Sequence, residues 1–319
     1  LEVDVMVERR SLQGYLLIFM SGVFWGVGGY FITKMSNMGV SSMMTAFSGH
    51  FFSLVPLAIY LLARKGINGL KLSKKGFIYS ILLGAMTKGI FKLVYDTTIT
   101  TVGVATAAIL LYLAPAFTAI MSMVLFKEKL RKSQHLALIL NLVGCSLMVT
   151  GGNFAELNIS GLGLTLGVLS GFLYALNTII AKLATSEDDP ETMTFYMLLF
   201  SATIMAVFAK PWEHVELFFN AEFLVWATIN SLAIGMIANL FYLKGLSMKV
   251  DASKATIIAS SEVVVATLSG IFLLNEKTNL VGVFGIVMML VSIVLMNIQL
   301  PVKSKEARKN SEIPTLDSQ

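Results

Sequence analysis

Apolar and polar positions fall in long blocks along this chain. Ten apolar runs, at 12–32, 43–63, 76–94, 102–126, 134–150, 162–181, 193–209, 223–243, 253–274 and 280–300, stand between short polar interruptions. A helix needs roughly 20 apolar residues to cross the ~30 Å hydrocarbon core of a bilayer. The runs approach or exceed that length, the fifth and seventh being the shortest, so the pattern predicts an all-α integral membrane protein with ten transmembrane helices. The longest polar stretches, 64–75, 210–222 and the tail after Pro301, are too short to hide a soluble domain.

One stretch is repeated. From Tyr95 to Glu128 the chain reads as a polar turn, a long apolar run containing Pro115, and abrupt charge. Shifted by 148 positions without a gap, it lies over Ala252–Lys277, so that Glu128 falls on Glu276 and Pro115 on Val263. Nine of the 46 positions from Ala105 to Thr150 are identical in that register. Ser21–Trp25 likewise answers Ser170–Tyr174, with Lys34 and Lys182 closing each segment, one residue of slippage separating the two ends. Five crossings per copy is an odd number, which turns the second copy upside down. The expected organisation is a tail (1–11), a first five-helix repeat (12–150), a connecting loop (151–161), an inverted second repeat (162–300) and a basic tail (301–319). Inverted repeats of this kind commonly hold a transported substrate near the midplane between them.

Composition sharpens the class. The chain is 56% hydrophobic and 13% charged, against about 25% charged in soluble domains. Its single cysteine, Cys145, excludes an intrachain disulfide, and the three scattered histidines offer no metal cluster. Gly84 and Gly89 have P-loop spacing, but Ile90 stands where the lysine must be, so ATP hydrolysis is not expected. No cofactor and no nucleic-acid partner are expected. The acidic N-terminal stretch lacks the basic character of a signal peptide, and the first apolar run is too long for a cleaved leader, so it is expected to remain as a helix.

Cytoplasmic loops keep the excess of Lys and Arg. With the N-terminus inside, 19 of the 24 such residues lie on inner segments and only Lys34, Lys210 and Lys277 on outer loops. Both termini are therefore expected in the cytoplasm of a multi-pass protein in the cell membrane. The tail from Lys303 to Lys309 reads as a topology anchor with weak attraction to anionic lipid. Gly22 and Gly26, and Gly163, Gly167 and Gly171, are four apart on one helix face and predict close helix packing.

Ionisable groups at membrane depth cost ~2.5–3.5 kcal/mol on insertion scales and are functional candidates. Lys88 and Lys92, one turn apart in the third run, could meet a substrate carboxylate or phosphate; a structural ion pair is the plainer reading of Lys88, and snorkelling of Lys92. Glu262 in the ninth run lies at a depth similar to Lys88 and could pair with it or carry a proton. His50 lies mid-span, where a packing role is the commoner one. Trp25, Tyr112 and Tyr174 could line a cavity; Asn141, Asn177 and Asn239 are expected to bridge helices, with Asn177 also within reach of the cavity.

The ten spans, Phe24-Trp25-Gly26, Pro115 followed 13 residues later by Glu128, and Glu262 followed 14 later by Glu276 together resemble EamA-type members of the drug/metabolite transporter superfamily. The resemblance covers residues 12–298 and implies a cytoplasmic-membrane carrier of small metabolites, energised by protons or by exchange. Two positions depart from the family pattern. Val263 stands where proline usually follows Glu262, which leaves the shape of the ninth helix open, and Lys88 and Lys92 replace apolar or small residues, which points to an anionic or zwitterionic solute. The expected function is secondary-active transport by alternating access, as exporter or exchanger, of amino acids or other carboxylate-bearing solutes. The alternative is export of hydrophobic or cationic compounds; a membrane-embedded enzyme or structural subunit is the weakest reading. The expected partners are a small-molecule substrate, the bilayer and protons, with the chain working as monomer or homodimer.

Overall fold

With no water in the hydrocarbon core, each apolar run must satisfy its own backbone, and helices do so. The computed structural model describes residues 2–157, 160–248 and 250–297, so the expected basic tail lies outside the described residues. Among them nine helical stretches are long and apolar enough to cross a membrane, and Ala114–Leu125 is a shorter apolar helix. The stretch Lys74–Leu111 is interrupted at Gly103 (φ 83°, ψ 163°), which separates two crossings. The crossings are α1 (Glu2–Asn37), α2 (Ser42–Lys65), α3 (74–102), α4 (104–125), α5 (Lys132–Thr150), α6 (Gly161–Glu187), α7 (Pro190–Ala209), α8 (Ala221–Leu246), α9 (Ala252–Leu273) and α10 (Leu280–Asn297). The side chains of Ser41, Ser73, Ser160, Asp189 and Asn220 cap helix N-termini by accepting from the backbone three residues on.

The segment 95–101 is helix, not the turn its polarity suggests. Thr97, Thr98 and Thr101 return their hydroxyls to the carbonyls four residues back, and Lys92 pairs with Asp96, so the polar groups are satisfied within the helix. The chain turns instead at Gly103, whose positive φ a side-chain-bearing residue rarely adopts.

Two crossings are broken, at matching points. α4 is interrupted at Tyr112 and Leu113, and α9 at Ser260; Ser260 is Tyr112 plus 148. Pro115 has no N–H to satisfy, whereas the Val263 N–H donates to the Ser260 carbonyl at 3.1 Å. The Asn141 amide donates to Ser260 Oγ (2.7 Å) and to Ser292 Oγ (3.3 Å), bridging α5, the break and α10. The ninth helix thus breaks without a proline. Two wide π-helical turns also match: Leu82–Ile90 in α3 and Ser231–Ala238 in α8. Helix ends repeat as well, with Lys127 at φ 55° and Asn275 at φ 57°. The Glu128 N–H reaches Ser122 O, and the Glu276 N–H reaches Gly270 O. The architecture is two inverted five-helix repeats.

Small residues hold the broken helices in place. A Cβ on Gly22 would lie 2.2 Å from Ser261 Oγ and 2.8 Å from Ala259 O, and one on Gly26 would lie 2.5 Å from Glu262 O, so α1 rests directly on the break in α9. On the other side a Cβ on Gly171 would lie 2.7 Å from Leu110 O and 3.2 Å from Leu111 O, at the break in α4. The glycine spacing read from the sequence serves this contact.

One end of the bundle is sealed. Glu128, between α4 and α5, accepts from Lys182 Nζ (2.6 Å), from Ser253 Oγ (2.7 Å) and from the N–H groups of Ala252 (2.8 Å) and Ser253 (3.3 Å) at the start of α9. Burial alone would raise this carboxyl, but the Lys182 ammonium, the Ser253 hydroxyl and the Ala252 N–H outweigh burial and hold it below its ordinary 4.5. Beside it, Glu191 on α7 meets Lys65 of α2 (2.6 Å) and Lys244 of α8 (3.4 Å) and accepts from Tyr60 (3.0 Å).

Two outcomes follow from these contacts. Gly22→Val overpacks the α1–α9 contact and should cost about 1–3 kcal/mol, read as a lower thermal midpoint in detergent; an unchanged midpoint would contradict the contact. Glu128→Gln should lower the midpoint at neutral pH. Because the folded-state value is depressed, the carboxylate's contribution is present above about pH 4.5 and disappears as pH falls through the folded value. The gap between wild type and variant should therefore close in acid; a gap that is constant with pH would show that Glu128 contributes no charge-dependent stability.

Candidate functional site

A cavity of about 220 Å³ lies between the repeats, walled by α1, α2, α3, α6, α7, α8 and α9. At roughly 30 Å³ per water it holds about seven waters, a solute of metabolite size. Its rim carries Ile32, Ser42 and Lys92, of which Ile32 and Ser42 are exposed, so it opens at the end opposite Glu128. Toward the sealed end lie Trp25 and Tyr242, whose rings are 5.1 Å apart. Tyr242 shares a 2.6 Å hydrogen bond with Thr178. Ile18, Leu243, Ala255 and Ala259, all fully or almost fully buried, pack in the core that includes this closure.

Lys88 lies in the π-helical turn of α3, where the widened spiral brings Thr87, Lys88, Phe91 and Lys92 to the cavity. Its ammonium sits 5.0 Å from the centre of the Trp25 ring, a cation–π distance. No salt bridge reaches Lys88 among the described residues. Glu262, two residues past the break at Ser260, lines the same cavity and accepts from Tyr174 OH at 3.0 Å, but stays beyond salt-bridge range of Lys88. Two opposite charges therefore share one chamber without touching.

The remaining candidates divide. His50 lines the cavity and hydrogen-bonds Ser201 on α7 (2.8 Å). Asn177 lines it and accepts from Thr87 Oγ1 at 2.9 Å, bridging α6 and α3. Trp25 and Tyr174 form wall. Lys92 is at the mouth, already paired with Asp96 and bonded to Ser42, so its charge is neutralised where that of Lys88 is not. Tyr112 is not in this cavity; it lies beside Pro115, Tyr174 and Ser260 in a separate small void at the two breaks.

Asn230 was not among the sequence candidates, although it is a polar residue inside an apolar run, the same signal that singles out Asn177. It lines the cavity, and so does Asn239. The Oδ1 atoms of both are buried without a partner, which leaves two acceptors in the wall. Asn239 does not bridge helices as expected; its amide donates to Ile234 O (3.0 Å) and Gly235 O (2.9 Å), carbonyls of the π-helical turn in its own helix. Among the described residues no cluster of His, Cys, Asp or Glu could hold a metal.

Comparison with known proteins agrees with the geometry. An uncharacterized transporter of Archaeoglobus fulgidus is 29% identical over 293 residues, covering 91% of this chain and 98% of its own. The uncharacterized inner membrane transporter YicL of Salmonella typhimurium is 25% identical over 90% of this chain and 95% of its own. The uncharacterized transporter YwfM of Bacillus subtilis is 24% identical over 92% and 96%. A solved crystal structure superposes with a TM-score of 0.70 at 14% identity, covering 89% of this chain and 96% of that one, and shares the fold. The profile of the EamA-like transporter family matches twice, at residues 12–150 and 161–298. The chain, a multi-pass membrane transporter with a small cavity between inverted repeats, belongs to the EamA-like transporter family.

Proposed function

We propose that this transporter is secondary-active and moves small carboxylate-bearing solutes, amino acids among them, by alternating access across the cytoplasmic membrane. The observation that carries the reading is Lys88: a cation facing a solute-sized cavity, held over Trp25, with no carboxylate in range. A half-buried charge with no counter-ion in contact is costly, and an entering carboxylate would supply the partner. With the N-terminus inside, as the Lys and Arg distribution favours, the cavity opens outward and the Glu128 end faces the cytoplasm. Glu262, held by Tyr174 and without a cation in range, is the group placed to carry a coupling proton or to meet a substrate amine. Export or exchange fits an open outer mouth that discharges solute.

Hydrophobic or cationic cargo is the second reading, and it rests on Glu262 and the rings of Trp25, Phe91, Tyr174 and Tyr242 along the wall. The cavity is smaller than the ~300 Å³ at which drug-sized sites begin, which favours the first reading.

A charge-assisted contact is worth about 1.5–3 kcal/mol, about ten- to a hundredfold in affinity. Lys88→Ala in proteoliposomes should therefore weaken carboxylate transport at least about tenfold. Glu262→Gln should leave carboxylate binding in place and remove its dependence on the proton gradient. Normal transport by both variants would overturn this site assignment.

A further inference from the structure

The residues that hold Glu128 at the sealed end have positional counterparts at the other end, and those counterparts are apart. Shifted by 148 positions, Glu128 becomes Glu276, Lys182 becomes Lys34, and Ala252 and Ser253 become Val104 and Ala105. The backbones correspond as closely as the sequence. Lys127 and Asn275, each preceding its glutamate, share a left-handed φ of 55° and 57°. Each glutamate N–H reaches the carbonyl six residues back, at 3.3 Å for Glu128 and 3.0 Å for Glu276. Asp251, before the first turn of α9, corresponds to Gly103, the residue at which α4 begins.

The surroundings differ in one respect. At the sealed end the Glu128 side chain is 9% exposed and Ala252 is fully buried. At the open end Glu276 is exposed and Val104 is 65% exposed. Among the described residues Lys34 reaches no carboxylate; it lies 5.3 Å from the Tyr30 ring centre, while the Glu276 carboxylate lies beside Gly270. Among the described residues no ion pair reaches this lysine at the end of α1 or this glutamate after α9.

We propose that Glu276 and Lys34 are a second gate, open in this structure, which closes the outer mouth against the start of α4 when the Glu128–Lys182 gate opens. This rests on the alternating-access reading above. The carboxylate of Glu276 would accept from Lys34 and from the backbone N–H groups at Val104 and Ala105, as Glu128 now does from Lys182, Ala252 and Ser253. The copies are unequal. Ala105 has no hydroxyl to match Ser253, and Glu191, which ties α7 to α2 and α8 at the sealed end, corresponds to Met43. The outer gate has fewer contacts, so the molecule rests open at the outer mouth.

The test needs no substrate. Ala46, which lines the cavity on α2, is changed to cysteine in a Cys145→Ser background and labelled from outside with a membrane-impermeant maleimide. Glu128→Gln should reduce the labelling rate about fivefold, because the inner gate no longer holds the outward-open state. Adding Lys34→Gln or Glu276→Gln to Glu128→Gln should restore the rate to within about twofold, and adding Glu213→Gln, which breaks the exposed Lys210–Glu213 pair, should not. Lys34→Arg, which keeps the cation, should leave labelling slow in the Glu128→Gln background where Lys34→Gln restores it, a split that a merely structural role for the residue would not produce. The gate is overturned if Glu128→Gln leaves labelling unchanged, if neither outer substitution restores it, or if Lys34→Arg restores it as fully as Lys34→Gln. Failure here leaves the Lys88 assignment standing, since that is read by carboxylate transport and not by access.

Discussion

A bilayer interior supplies no water to a broken helix, so an interrupted crossing survives only where protein supplies the missing partners. Two crossings of this transporter are interrupted, and the rest of the molecule is arranged around them. Gly22 and Gly26 bring α1 against the break in α9, and Gly171 brings α6 against the break in α4. Asn141 holds Ser260 from behind. The breaks in turn set Glu262 at the cavity wall, and the same pair of interruptions leaves Tyr112 outside it.

Charge is distributed unequally along the bundle axis. At the sealed end Glu128 and Glu191 are each surrounded by cations and donors, and the helices they join are fixed relative to one another. In the chamber Lys88 and Glu262 are held apart, one by an aromatic face and the other by a phenol. Satisfied pairs belong to the closure and unsatisfied groups to the chamber, which is the division expected of a carrier that must hold one conformation and yet bind and release cargo. The π-helical turns of α3 and α8 lie beside the chamber, and such turns recur at functional sites.

Much of this was legible in the sequence because apolar blocks and a gapless repeat are strong signals. The ten crossings and the inverted halves follow from depth and spacing alone, and of the site candidates chosen on the same grounds all but Tyr112 line the cavity. The turn placed at Tyr95–Thr101 was wrong because threonine hydroxyls can bond within a helix, and the real corner depends on one glycine dihedral at Gly103. The break at Ser260 carries no proline to announce it. Asn230 and the separation of Lys88 from Glu262 depend on helix rotation, and the π-helical turns shift that rotation away from an ideal 3.6-residue pitch. Hydropathy does not encode it.

The central claim is that Lys88 receives a carboxylate. The most direct measurement is a thermal-shift comparison of purified protein with amino acids and organic acids against their methyl esters, because a ligand bound only by the folded state raises its midpoint. The account predicts stabilisation by some acids, none by the matching esters, and loss of the effect in Lys88→Ala. Equal stabilisation by acid and ester, or by both in Lys88→Ala, would contradict it.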